Sequence, residues 1–170
     1  MRLYEPSVLD QIVLAIIGEK PQHGFAVSKA LETDPSLSAV IRARRPLVYR
    51  SINSLVEAKL IRESKTEPGD QGSRRVVYAI TATGKNATAK WLNATVDHPR
   101  DARIELLAKF ILRSRRKMKN QQLAMRQKHV FERQASNLQA AASATTDDAR
   151  LVSLWRVETI NAMIRLLKAV

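Results

Sequence analysis

The first helix is predicted from apolar spacing at the N-terminus. Apolar residues recur every three or four positions over residues 8–17, which indicates one buried face. Ser7 and Asp10 fit a capping box, in which each side chain accepts a hydrogen bond from the other residue's backbone N–H. Gly18 is placed to end this helix.

A turn and a second helix follow. Residues 21–24, Pro-Gln-His-Gly, favour a turn, and His23 is interpreted as a turn or helix-start residue. Residues 24–33 predict a helix whose apolar set is Phe25, Val27, Ala30 and Leu31. Asp34-Pro35 ends it, because proline disfavours helical geometry in the residue before it.

A third helix is predicted to begin near Pro46, since the first helical position tolerates the missing N–H. Val48, Ile52 and Leu55 step by four and three, which gives one buried stripe. The opposite face has no acidic residue before Glu57. It is cationic, aromatic and amide-bearing, with Arg45, Tyr49, Arg50 and Asn53.

Two strands and a short helix come next. Residues 60–66 and 74–81 are typical of strands, and the second alternates with period two. A turn-rich tip at residues 68–73 joins the two strands and leads directly into Arg74-Arg75. The two strands are therefore predicted to form a small β-hairpin wing. Thr81 or Thr83 is positioned to cap a fourth helix that runs toward Trp91 and Leu92.

The remainder of the chain is predicted to be helical, after a boundary at His98-Pro99. Residues 101–118 are strongly apolar, and six positions approximate a coiled-coil seam that Lys128 interrupts: Ala124, Lys128, Phe131, Ala135, Leu138 and Ala142. The last helix, about residues 149–169, carries one stripe of Leu154, Val157, Ile160, Ile164 and Leu167 and a second that includes Trp155. A helix apolar on two faces buries both, which favours homodimerisation through these residues.

Charge and composition limit the classes of function and partner that the protein can have. The 170 residues hold 29 Lys+Arg and 16 Asp+Glu, a net charge of +13, which favours a polyanionic partner. Two basic blocks supply the excess, residues 42–75 and 100–128. There is no Cys, so disulfides, thiolate zinc sites and Cys nucleophiles are excluded; this suits a cytoplasmic protein. The longest apolar run has six residues, too short to span a bilayer, and no signal peptide is expected.

Three segments together resemble a known family. Residues 21–25 (PQHGF), 48–55 (VYRSINSL) and 78–84 (YAITATG) follow the order and spacing of the PadR family of transcriptional regulators. The resemblance covers about residues 8–92 and is loose over residues 100–170. It implies a mainly α protein with a small β-hairpin wing. An N-terminal winged helix-turn-helix domain (residues 1–97) would precede a C-terminal helical dimerisation domain (98–170).

One residue departs from the family pattern. Lys59 stands where family members usually have Gly at the helix end, so a differently built turn is expected there.

The expected DNA contacts follow from side-chain chemistry. Arg45 and Arg50 suit forked contacts to guanine or phosphate, and Asn53 suits an adenine edge. Tyr49 is assigned either to a phosphate or sugar contact or to the edge of the core. The remaining candidates are the phosphate anchors Arg42 and Arg44 and the wing residues Arg74 and Arg75.

The resemblance also implies repression of a palindromic site by a homodimer, and in some relatives release by a small aromatic or hydrophobic effector. Trp155 and Phe110 are the candidate effector contacts, although packing is the alternative role for Trp155. No cofactor or metal is expected, because the three His are scattered and lack a ligand context. No nucleotide-binding loop or hydrolase motif occurs, so an enzyme is disfavoured.

Two alternatives stay open. One is a non-specific architectural DNA-binding protein. The other is a helical interaction protein whose basic residues 113–119 meet an acidic partner or a membrane surface. The simpler interpretation of residues 113–119 is a solvated junction of cations near a helix C-terminus.

Overall fold

A computed structural model describes residues 4–68, 74–142 and 148–170 of the protein. The N-terminal elements are α1 (Val8–Glu19), β1 (Gln22–His23), α2 (Gly24–Thr33), α3 (Pro35–Val40), α4 (Arg45–Glu57), β2 (Ile61–Pro68), β3 (Arg74–Ile80) and α5 (Ala82–Asn93). The C-terminal elements are α6 (Pro99–Asp101), a π-helical segment (Ala102–Leu106), α7 (Leu107–Arg115), α8 (Gln121–Ala142) and α9 (Asp148–Lys168). The predicted class, mainly α with a small wing, is confirmed.

The sheet has three antiparallel strands in the order β1-β3-β2. Residues 21–24 were predicted as a turn, and this prediction missed a short strand, in which Gln22 pairs with Tyr78 and His23 with Val77. The interpretation of His23 as a helix-start residue is confirmed, because its Nδ1 accepts a hydrogen bond from the Ala26 N–H at 3.0 Å. A strand of two residues shows no alternation, so the sequence pattern could not reveal it. The predicted wing tip lies mostly in residues 69–73, outside the described residues.

The first helix is capped as predicted but ends later. The Ser7 N–H donates to Asp10 at 2.9 Å, and the Asp10 N–H donates to the Ser7 hydroxyl at 3.2 Å. Gly18 does not end α1, which continues to Glu19. A Cβ at Gly18 would lie 3.0 Å from Ile80 Cδ1, so this glycine allows close packing of α1 against β3.

The turn after α4 is built as glycine would build it, so the expectation of a different turn at Lys59 is wrong. Lys59 has φ = 59°, in the left-handed region. Its N–H donates to the Val56 carbonyl, and the Leu60 N–H donates to the Leu55 carbonyl, both at 2.9 Å. This pair of bonds is the Schellman motif.

Thr81 and Gly84 join this turn to α5. Thr81 is the N-cap: its hydroxyl accepts from the Gly84 N–H at 3.0 Å and lies 2.9 Å from the Lys59 carbonyl and 3.0 Å from the Leu60 carbonyl. A Cβ at Gly84 would lie 2.0 Å from the Leu60 carbonyl oxygen. The Thr-x-x-Gly segment therefore depends on glycine for the close approach of two backbones.

Two apolar cores meet at α7. Ala108 and Leu112 pack into the core built by α1, α2 and α4, whereas Phe110 packs into the core of α8 and α9. An unpredicted helix, α3, contacts α7 as well as α2. The division of the chain at residue 98 stays a prediction.

Candidate nucleic-acid interface

Helix α4 presents the predicted cationic face. Its buried stripe, Val48, Ile52 and Leu55, is fully excluded from solvent and packs toward α1 and α2. Burial of this stripe leaves the other side of the helix at the surface. The four side chains predicted for that side, Arg45, Tyr49, Arg50 and Asn53, are all exposed.

The loop before α4 extends the cationic surface. Arg42 and Arg44 are exposed, and together with Arg45 they line a shallow groove between α2, α3 and the start of α4. Ser28 and Glu32 of α2 form the opposite side of this groove. Arg42 and Arg44 are therefore positioned beside the first turn of α4, as phosphate anchors require.

Gly24 sets the distance between α2 and α4. A Cβ at this position would lie 2.8 Å from Tyr49 Cε1 and 3.1 Å from Ile52 Cδ1. The Tyr49 ring thus packs against Gly24 backbone while remaining 40% exposed. The ring therefore lies at the edge of the core, and its exposed part belongs to the cationic surface; a phosphate or sugar contact by Tyr49 stays a prediction.

Phe25 is a site residue that sequence reasoning placed in the core. Its ring is half-buried, 4.9 Å from the guanidinium carbon of Arg45 and 5.4 Å from that of Arg75. Arg45 belongs to α4 and Arg75 to the wing, so one ring touches cations from both elements. Nothing local in the sequence signals these contacts, because they join residues 20 and 50 positions apart.

The wing completes the surface. Arg74 is exposed and Arg75 half-buried at the start of β3, and they border a pocket of about 350 Å³ with Phe25, Tyr49 and Tyr78. Burial raises the pKa of Tyr78, and nearby Glu63 and Tyr49 raise it further. The phenol therefore stays protonated at neutral pH and can donate a hydrogen bond to an anion.

Several cations of the second basic block, residues 100–128, are bonded within the chain. Arg113 is only 4% exposed, and burial lowers the pKa of its guanidinium. Its side chain donates to the carbonyls of Leu92 and Lys119 at 3.1 and 2.6 Å and to the side-chain oxygens of Asn93 and Asn120 at 2.7 and 3.2 Å. It therefore ties α7 to the end of α5 and to the loop before α8.

Arg113 acts with two other cations at the end of α5. The last carbonyls of a helix lack intrahelical donors, and cations there are favourable. Three successive carbonyls are satisfied in this way: Leu92 by Arg113, Asn93 by Arg126 at 2.8 Å and Ala94 by Lys109 at 2.9 Å. The fully buried Lys109 also pairs with Glu105 at 2.6 Å.

Arg115 and Arg116 connect α7 to the N-terminal elements. Arg115 pairs with Glu19 at 2.6 Å and with Asp34 at 3.3 Å, while Arg116 pairs with Glu19 at 3.4 Å and donates to the Ala15 carbonyl. The interpretation of residues 113–119 as a solvated junction is wrong for Arg113, which is buried, whereas Arg115 in the last turn of α7 is exposed and Arg116 is half-buried.

Helix α9 divides the residues predicted to form a dimer interface. Val157, Ile160, Ile164 and Leu167 are at most 9% exposed and face the core shared with α8. Leu154 and Trp155 are 46% and 67% exposed. Val152 and Leu166, which share the predicted second stripe with Trp155, are exposed as well, and so is Leu151.

The two candidate effector contacts are not brought together. Trp155 lines a groove of about 490 Å³ with Leu138, Met163, Arg100 and Arg156. Phe110 is 7% exposed in the C-terminal core and is not among the residues lining this groove. Only Trp155 is therefore accessible to a small molecule there.

Neither a metal site nor a membrane-spanning helix is present among the described residues. No group of three or more His, Asp or Glu among them is arranged to hold a metal ion. Within the same ranges no helix combines the length and apolar character that crossing a membrane requires.

Comparison with known proteins relates the chain to a family and to solved structures. The sequence model described as "Transcriptional regulator PadR-like family" matches residues 13–90. The fold is similar to that of Bacillus subtilis PadR, solved in complex with operator DNA, with a TM-score of 0.51 and 17% identity over 96% of each chain. The PadR-like regulator BC1756 from Bacillus cereus gives a TM-score of 0.43 and 15% identity over 99% of this chain and 97% of that one. No curated protein matches significantly. Residues 13–90, which contain the winged helix-turn-helix, therefore match the PadR-like family of transcriptional regulators, and the fold is similar to that of Bacillus subtilis PadR along the chain.

Proposed function

We propose that the protein is a cytoplasmic repressor that binds a palindromic operator as a homodimer. The observation that carries this proposal is the continuous cationic surface from the loop before α4, along α4, to the wing. Exposed Arg and Asn side chains at the start of a helix suit base edges in the major groove, and the wing arginines suit the adjacent backbone or minor groove. The similarity to Bacillus subtilis PadR, which was solved with operator DNA, supports the same partner here.

Fluorescence anisotropy with two duplexes tests whether the affinity for DNA depends on the DNA sequence. One duplex is the region upstream of the protein's own gene, and the other is a scrambled sequence of equal length. Preference for the upstream duplex by about a hundredfold at physiological salt is expected, since specific binding usually exceeds non-specific binding by about 10³ or more. With about eight phosphate contacts per dimer, the log–log salt slope is about −7. Equal affinities for the upstream and the scrambled duplex, with no sequence enriched by the protein from a random library, would instead indicate an architectural DNA-binding protein.

The homodimer would form through the exposed apolar row of α9, residues Leu151, Val152, Leu154, Trp155 and Leu166. Monomers rarely leave a contiguous apolar row of this kind in water. A two-fold dimer would present its two α4 helices about 34 Å apart, matching half-sites one turn apart. Trp155→Arg is expected to give monomers in sedimentation, whereas Arg133→Glu, an exposed charge change on α8, is expected to leave the dimer intact. A dimeric Trp155→Arg protein would contradict this interface.

The effector site would be the groove beside Trp155. Its apolar walls and the cations Arg100 and Arg156 suit a small aromatic molecule, and an anionic one especially. Titration with phenolic and planar compounds is expected to change the fluorescence of the wild-type protein but not of Trp155→Phe, which retains Trp91. No change with any compound would remove the effector from the proposal.

A further inference from the structure

The ring of Phe25 contacts two arginines at once, and the proposed DNA contacts do not explain this arrangement by themselves. The ring lies within about 6 Å of two guanidinium groups, the usual range of a cation–π contact. One of these groups, on Arg45, stands at the first turn of α4. The other, on Arg75, stands on the wing strand β3. The ring therefore links the two elements that the proposed function assigns to DNA.

The backbone accounts for both contacts. Pairing of Gln22 with Tyr78 and of His23 with Val77 is antiparallel, so the chain that continues from β1 into Phe25 runs beside Arg75. On the other side, Gly24 lets α4 approach until the Tyr49 ring touches α2. Arg45 precedes Tyr49 by four residues and lies on the same side of α4, which brings it to the adjacent residue, Phe25.

Two cations brought together repel each other, and an exposed guanidinium such as that of Arg45 is mobile unless a neighbour holds it. An arginine that must be immobilised on binding carries an entropy cost, and stacking its planar guanidinium on an aromatic face reduces that cost in advance. A single ring in contact with Arg45 and Arg75 orders both side chains before DNA arrives.

We infer that Phe25 is a positioning residue for DNA binding, which pre-orders Arg45 of α4 and Arg75 of the wing on one aromatic ring. The inference rests on the proposed DNA-binding function and adds to it a residue that need not itself touch DNA. It predicts that the energetic role of Phe25 exists only while those two arginines are present.

A double-mutant cycle tests this dependence. Anisotropy is measured at low salt with a duplex selected by the wild-type protein from a random library. Phe25→Leu is expected to weaken binding about tenfold, because two cation–π contacts are lost. Phe25→Tyr keeps the ring and is expected to bind within about twofold of wild type. In an Arg45→Ala/Arg75→Ala background, Phe25→Leu is expected to have less than about a twofold effect.

Arg74→Ala provides the matched background. The ring contacts found among the described residues include Arg75 but not its neighbour Arg74. In Arg74→Ala the full tenfold effect of Phe25→Leu is therefore expected.

The outcomes separate the inference from the proposed function. An equal loss from Phe25→Leu in every background would mean that the residue acts through folding, which overturns the inference but not DNA binding. Loss of binding in Phe25→Tyr as large as in Phe25→Leu would overturn it as well. A wild-type protein that binds no duplex would overturn the proposed function, and the inference with it.

Discussion

Two arginine-rich regions of the chain behave in opposite ways. The outer arginines, Arg42, Arg44, Arg45, Arg50, Arg74 and Arg75, lie at or near the surface around α4 and the wing. The inner arginines, Arg113, Arg115 and Arg116, donate to carbonyls or carboxylates within the chain. Positive charge in the sequence thus indicates DNA binding only where the fold leaves the cation available.

The difference arises from what surrounds each region. The inner arginines lie where α7 meets the end of α5, whose carbonyls need donors, and where Glu19 and Asp34 supply carboxylates. Around α4 the apolar stripe faces inward, and the side that carries Arg45, Tyr49, Arg50 and Asn53 is exposed. The same residue type therefore stabilises the fold in one region and is available to a ligand in the other.

The largest effect that separates the two regions is expected at Arg113. Arg113→Met leaves the carbonyls of Leu92 and Lys119 without their donor, so the free energy of unfolding should fall by about 3 kcal/mol or more. Urea denaturation measures this fall. Arg103→Met, at an exposed position in the π-helical segment, should change it by less than about 0.5 kcal/mol. Equal unfolding free energies for the two variants would mean that Arg113 stabilises the fold no more than an exposed arginine does.

Arg50 should show the reverse behaviour. Arg50→Ala is expected to weaken binding to a selected duplex about tenfold to a hundredfold, as loss of one forked base contact does. Its unfolding free energy should stay within about 0.5 kcal/mol of wild type, because the side chain is exposed. Arg133→Ala removes the same charge from α8 and separates a specific contact from a general loss of charge. If both variants weaken binding equally, Arg50 contributes only net charge.

Arg115 tests the inner region through salt. Arg115→Gln removes ion pairs with Glu19 and Asp34 whose side chains are 21–31% exposed, so the expected loss is about 1 kcal/mol. Screening should shrink this loss at about 1 M salt, where the Debye length is about 3 Å. Thermal unfolding at low and high salt measures both values. A loss that does not change with salt would point to packing of the side chain rather than to ion pairing.

The smallest expected effect is an increase in the free energy of unfolding. It is available at one lysine after α4 and at one after α7. Lys59 and Lys117 have φ values of 59° and 57°, a conformation that glycine adopts without the steric cost of a Cβ. Lys59→Gly should raise the unfolding free energy by about 0.5–1 kcal/mol with DNA affinity nearly unchanged. Lys59→Ala removes the charge but keeps the Cβ, and it should give no such gain. Stabilisation by alanine equal to that by glycine would show that charge, not backbone conformation, is the cause.

Much of the N-terminal half was predictable, because its determinants are local. The capping box at Ser7 and Asp10, the buried stripe of α4 and the cap at Thr81 all join residues a few positions apart. Their spacing along the chain is their spacing along the element, so periodicity and capping rules identify them.

Predictions failed where distant segments meet. β1 exists because β3 pairs with it, and Gly18 and Gly84 are needed because Ile80 and the Leu60 carbonyl approach them closely. The acceptors of the inner arginines were missed for the same reason, since they lie up to about a hundred positions away along the chain. No local pattern encodes such neighbours.

The sequence by itself determined the helices α1, α2, α4 and α5, the wing strands and the cationic face of α4, because hydrophobic period and short-range capping specify each of these elements alone. Only the tertiary structure decided which cations remain available. It buried Arg113 among carbonyls, engaged Arg115 and Arg116 with Glu19, and brought Arg45 and Arg75 to the ring of Phe25. Hydrogen bonds, ion pairs and cation–π contacts act over a few ångströms, and distances of that size between remote residues are set when the elements pack.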